Sequence, residues 1–228
     1  MMNTEKRDFY KALVVPAFFV LIIWSIKILE TISGISLSDY GLEPHTLKGL
    51  RGLITMPLLH SDFSHLSSNT LACFVLLFGL YLFYKDFASI LFILLYLFSN
   101  FSTWIIGDSG TIHIGASGLV YALAWFHILS GFIKKNKQQA AFGLLVIFLY
   151  GSVVWDIFPM FQESAHISWQ GHLGGAITGL VFAIYYRKKG IVIKEENDDN
   201  DEDEPSDDDP YWIETPTHNN HENQEHNK

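Results

Sequence analysis

The chain has 228 residues, 49% of them apolar and 15% aromatic, and the apolar residues stand in blocks rather than at a helix or strand period, which excludes an ordinary water-soluble domain. The formal net charge of −9 is unevenly divided, residues 1–189 carrying +3 and residues 190–228 carrying −12. The acidity therefore belongs to the tail, no nucleic-acid partner is expected, and the lone Cys73, inside an apolar block, is silent on redox compartment.

Six blocks are long enough, or nearly so, to cross a bilayer: about 12–29, 66–84, 87–106, 115–133, 140–160 and 170–186. The first follows a short basic stretch but is too long for a signal-peptide core and has no convincing small-residue cleavage site, so it reads as a retained anchor. After it comes a connection of roughly 35 residues, Glu30 to Ser64, whose apolar run Leu53-Ile54-Thr55-Met56-Pro57-Leu58-Leu59 predicts a folded element in the interface plane. Between the third and fourth blocks lies the polar, Gly-rich segment from Gly107 to Gly115. It leads into Ser117, and such backbone enters a membrane only where protein or water satisfies it. The stretch from about Glu195 to Asp209, EENDDNDEDEPSDDD, opens a tail too acidic and too poor in apolar anchors to build a core, so disorder is expected over 190–228.

Cations order these blocks. Lys6, Arg7, Lys11, Lys85, Lys134, Lys135, Lys137, Arg187, Lys188 and Lys189 all fall on one side of a six-span arrangement, and Lys48 and Arg51 on the other. The positive-inside rule then puts both termini in the cytoplasm. The expected architecture is an all-α membrane protein, a six-transmembrane-helix bundle over residues 1–189 with a long interfacial first loop.

Counting residues from the cationic edge of each span gives depth. Ser117 is 17 residues from Lys134, Asn69 is 16 from Lys85 and His172 is 15 from Arg187, so each sits roughly 22–26 Å from the inner face of a layer about 30 Å thick. A hydroxyl, an amide and an imidazole on three helices thus share one level. His65 lies one turn before Asn69 and Tyr121 one turn after Ser117, on the same faces. Gly171, Gly175 and Gly179 form a small-residue stripe that lets a neighbouring backbone approach.

Such a cluster suits acyl transfer. His172 would take the Ser117 proton as general base and return it to the leaving amine, while the Ser117 peptide N–H, Asn69 and His65 would meet the oxyanion. Asp108, Asp156 and Glu163 are the external acids and none has a compelling position, so a Ser–His dyad is the simpler expectation. Taken singly, each residue also has a packing explanation, and a proton or ion pathway through His60, His65, Tyr121 and His172 is a competing reading.

Three motifs carry a resemblance: His60-Ser61-Asp62-Phe63-Ser64-His65-Leu66-Ser67-Ser68-Asn69, Gly115-Ala116-Ser117-Gly118-Leu119-Val120-Tyr121, and Gly171-His172-Leu173-Gly174-Gly175-Ala176-Ile177-Thr178-Gly179. In this order on six spans, the stretch from Gly41 to Arg187 is similar to the rhomboid family of intramembrane serine proteases, in its compact bacterial form. The resemblance implies Ser117 as nucleophile, His172 as base, His65 and Asn69 in the oxyanion hole, and Tyr121 packed on the base. It also implies Gly115 in the substrate site and a fifth span that borders a substrate gate around Trp155. Substrates would be single-pass transmembrane proteins cut in the lipid bilayer near its outer face, with no metal or organic cofactor. The alternative is a catalytically inactive relative that binds membrane clients. One departure is visible: many members carry Trp-Arg in the first loop, where this chain has Leu50-Arg51-Gly52, which leaves the anchoring of that loop open.

Overall fold

The computed structural model describes residues 4–151, 157–158 and 168–189. The acidic tail expected over 190–228 lies outside the described residues.

Among the described residues there are seven helices: α1 (Thr4–Ser33), the single-turn α2 (Gly52–Thr55), α3 (Phe63–Tyr84), α4 (Ala88–Ile106), α5 (Ser117–Ile133), α6 (Lys137–Leu149) and α7 (Trp169–Tyr185). Side chains start three of them by accepting an otherwise orphaned backbone N–H. Asp62 accepts from His65 N–H at the head of α3, Asn136 from Gln139 N–H at α6, and Ser168 from Gly171 N–H at α7. Chain reversals with positive φ at Lys85 and Lys135 close the turns after α3 and α5.

Three helices, α1, α3 and α4, are long and apolar enough to cross a membrane. α5 and α7 have 17 residues each and α6 has 13. Of the six spans expected, the described residues give three helices of spanning length and three shorter ones. In the fifth block, expected over 140–160, the helix runs from Lys137 to Leu149, and residues 152–156 and 159–160 of that block lie outside the described residues.

α5 is the central helix, with nearly every residue from Gly118 to Ile128 buried. α7 lies against it without intervening side chains. A Cβ added at Gly175 would stand 2.1 Å from the carbonyl oxygen of Gly118, and one at Gly179 would stand 2.3 Å from that of Ala122. The next positions along α7 meet α4, where Thr178 Oγ1 lies 3.1 Å from Ser102 Oγ. On the other side α1 is tied to α3 by the Trp24 indole, which donates to Thr70 Oγ1 at 2.9 Å.

The first loop is folded, as its apolar run predicts. Turns at Ser38–Tyr40, Lys48–Arg51 and Met56–Leu58 flank α2. Side chains of α4 hold it from below: Trp104 Nε1 donates to the Thr46 carbonyl at 3.1 Å, Asn100 Nδ2 to Leu53 at 3.0 Å, and the Tyr96 hydroxyl to Ile54. Within the Leu50-Arg51-Gly52 stretch, Arg51 binds back onto the loop itself. Its guanidinium donates to the Asp39 carbonyl and lies 4.7 Å over the Tyr40 ring. At the far end Lys27 of α1, ion-paired with Glu30 at 2.8 Å, donates to the carbonyls of His60 and Ser61.

Candidate active site

Ser117 is the first residue of α5, so its position depends on the segment before it. That segment is fixed at four points. Leu42 and His113 exchange both backbone hydrogen bonds, at 2.9 and 2.8 Å. His45 donates from Nε2 to the Ile105 carbonyl at 2.8 Å, which leaves its Nδ1 to accept from the Ser109 hydroxyl at 3.0 Å. Gly115 N–H donates to the Met56 carbonyl at 2.9 Å, and Gln170 Nε2 donates to Asp108 Oδ2 at 2.6 Å.

Gly115 has φ +110, a conformation that favours glycine. The same residue needs the absence of a side chain for a second reason: a Cβ there would lie 2.5 Å from Cε1 and 2.7 Å from Nε2 of His65. The His65 ring is thereby packed on the backbone two residues before Ser117. Asn69, one turn further along α3 and buried, donates from Nδ2 to the His65 carbonyl at 2.9 Å.

His172 is buried in the first turn of α7, its N–H donating to the Ser168 carbonyl at 3.2 Å. Its ring stacks on Tyr121 with centroids 4.0 Å apart and planes 5° apart. Tyr121 follows Ser117 by one turn of α5, hence on the same face. At the top of this contact a Cβ on Gly118 would meet the Gly171 carbonyl oxygen at 3.3 Å, and the Met56 methyl comes within 3.9 Å of that same position. The heads of α5 and α7 therefore adjoin, with the first loop tucked beside them.

Sequence reasoning had named Ser117, His172, Asn69, His65, Tyr121 and Gly115, and the structure brings Tyr121 to His172, and His65 to Gly115 and Asn69. Trp155, with Asp156 and Glu163, lies outside the described residues. Four contacts were not anticipated: Asp62 and Ser61 with His65, the edge-to-face pair of His60 and His65 with centroids 5.1 Å apart, the Lys27 bonds to the loop, and the Asp108–Gln170 clasp. The Asp-x-x-His spacing of an N-cap was a usable signal for the first, but the clasp joins residues 62 positions apart and had none.

Electrostatics around the outer cluster follow from burial. His60 is pushed down to about 4 by burial first and by the neighbouring His65 second. Burial also lowers His113, against the pull of Asp108. Asp62 is held below the usual carboxylate range, first by the His65 backbone N–H and then by the Ser61 hydroxyl. Among the described residues no group of three His, Cys, Asp or Glu is placed to hold a metal ion. Two apolar clefts, about 220 Å³ beside Ile26, Leu37 and Leu58 and about 280 Å³ beside Phe19, Phe92 and Tyr96, flank the first loop on the α1 side and touch none of the site residues.

Comparison with known proteins adds an independent line. The family model described as Rhomboid domain matches residues 48–189. An uncharacterized protein of Mycobacterium tuberculosis is 34% identical over 175 residues, 72% of this chain and 71% of its own length. One from Mycobacterium leprae is 30% identical over 173 residues, 72% and 67% of the two chains.

Proposed function

This chain belongs to the rhomboid family, and from that premise we propose that it is an intramembrane serine endopeptidase. Rhomboid proteins are typically proteases of this kind, and this one is an integral membrane protein. Ser117 is the nucleophile and His172 the general base. The base accepts the hydroxyl proton as the Ser117 oxygen attacks the scissile carbonyl, then passes it to the departing amine. The Ser117 peptide N–H, Asn69 and His65 face the oxyanion.

The observation that supports this reading is the Tyr121–His172 stack, because it brings the imidazole against the residue one helical turn after Ser117. Substrates are membrane-anchored single helices, cut near the outer membrane face in a six-crossing arrangement with both termini cytoplasmic.

The test is cleavage of a membrane-anchored helical reporter in proteoliposomes, with fluorophosphonate labelling of the same preparation. Wild type should cleave and be labelled at Ser117, while Ser117→Ala and His172→Ala should do neither. Folded wild type that neither cleaves nor reacts would instead favour the inactive client-binding relative.

A further inference from the structure

Hydrogen-bond direction at the head of α3 decides where the proton of His65 resides. Ser61 Oγ lies 2.7 Å from Asp62 Oδ2 and 3.2 Å from His65 Nδ1. The other carboxylate oxygen, Oδ1, accepts from the His65 backbone N–H at 2.8 Å. With its carboxyl held below the usual range by these two donors, Asp62 is ionised and can only accept. The single Ser61 hydroxyl proton is therefore committed to Asp62. Ser61 Oγ can then meet the imidazole only as an acceptor, which requires a proton on Nδ1.

A neutral imidazole has one N–H, so Nε2 is left as a bare lone pair. That atom faces the site: from the position a Gly115 Cβ would take, Nε2 is 2.7 Å away and Nδ1 is 3.7 Å away. Neutral His65 thus presents an acceptor to the segment that leads into Ser117. A lone pair there opposes a developing oxyanion, whereas an N–H stabilises it.

We propose that Asp62 and Ser61 form a positioning relay that keeps the proton of neutral His65 on Nδ1, so that His65 becomes an oxyanion donor only as imidazolium. The proposal rests on the serine-protease reading for its catalytic consequence, though not for the tautomer itself. Burial favours the neutral ring and lowers His65, and the Asp62 carboxylate opposes that shift. Lys27, held at the His60 and Ser61 carbonyls and neutralised by Glu30, opposes the imidazolium weakly. His60 is uncharged near neutral pH, and the 107–115 segment, whose Gly115 packs on the ring, carries the Asp108 carboxylate and His113, which burial holds towards its neutral form. The His65 donor is then present on the acidic side and is lost as pH rises and the ring gives up its proton.

Asp62→Asn tests this without removing the cap. Its amide oxygen can still accept from His65 N–H, while the amide nitrogen takes the place of Oδ2 and donates to Ser61. The Ser61 hydroxyl then turns to His65 Nδ1, and the neutral ring carries its proton on Nε2. Ser61→Ala removes the acceptor and leaves the cap intact. Nitrogen NMR of full-length, ¹⁵N-histidine-labelled protein in detergent, with His65→Gln for assignment, reads the tautomer directly.

The expected result is Nδ1–H in neutral wild type and Nε2–H in Asp62→Asn. In reporter cleavage, the ratio of rates at neutral to acidic pH should rise about tenfold over wild type in both variants, part of the effect of one oxyanion donor. Nε2–H in neutral wild type, or an unchanged rate ratio in both variants of a cleaving enzyme, would overturn the relay. The tautomer needs no turnover, so an inactive wild type would defeat the proposed function while the nitrogen shifts still decide the relay.

Discussion

Gln170 donates a 2.6 Å hydrogen bond to the carboxylate of Asp108, tying the segment that enters α5 to the first turn of α7 two residues before His172. Gln170 is buried and Asp108 exposed, so a side chain fixed by packing holds one that is not. Bonds to a charged group contribute on the order of 1.5–3 kcal/mol, with the low end apt at an exposed carboxylate. Asp108→Ala and Gln170→Ala should each lower the rate of reporter cleavage and of fluorophosphonate labelling by about tenfold. Asp108→Asn keeps an acceptor and should lose less. Equal labelling rates across all three would show that the clasp does not position Ser117.

Asn69→Ala removes one amide donor from α3. Turnover should fall on the order of ten- to a thousandfold while substrate binding changes little, because the missing interaction is made to the oxyanion. The measurement is kcat and KM on the membrane-anchored reporter. A change confined to KM would remove Asn69 from the oxyanion hole.

Tyr121→Ala deletes a buried ring, with a loss of about 3–5 kcal/mol of stability expected for truncating a core aromatic. Tyr121→Phe keeps the stack on His172, whose own share is about 0.5–1.5 kcal/mol. Thermal unfolding in detergent should separate the two. The rate should stay near wild type in Tyr121→Phe and drop sharply in Tyr121→Ala.

Gly175→Ala puts a methyl group 2.1 Å from the Gly118 carbonyl oxygen, a backbone atom that moves only if α5 and α7 part. Overpacking of this kind costs about 1–3 kcal/mol. Because it parts the two helices that bear Ser117 and His172, activity should fall further than stability does. Gly151→Ala, where a Cβ would meet nothing within 4 Å among the described residues, is the control and should be silent.

His60 supplies a pH dependence. Its folded value, about 4, lies below its ordinary 6.5, so the unfolded chain binds the proton first as pH falls. The stability gained by burying the neutral ring is present above about 6.5 and is lost progressively down to about 4. Wild-type melting temperature should therefore fall across that window, and His60→Leu should fall less steeply. Parallel curves for the two proteins would assign the acid sensitivity elsewhere.

What the amino-acid order determined here is what short-range chemistry can encode. Apolar blocks marked the membrane helices, Asp62 and Ser168 stand at caps visible as polar residues before apolar runs, and the Gly171, Gly175 and Gly179 spacing announced a close helix contact that α5 fills. His65 and Asn69 stand in the first two turns of α3, Ser117 and Tyr121 in those of α5, and His172 in the first turn of α7.

Tertiary structure alone decided the rest. Hydropathy cannot see where a helix inside an apolar block ends, which for α6 is Leu149. Nor could it find the partner of Asp108, the posture of the first loop, or the face that His65 turns to Gly115. Those depend on carbonyls and side chains brought together across tens of residues, and hydrogen bonds to a distant backbone leave no period in a sequence, because any residue can supply the carbonyl.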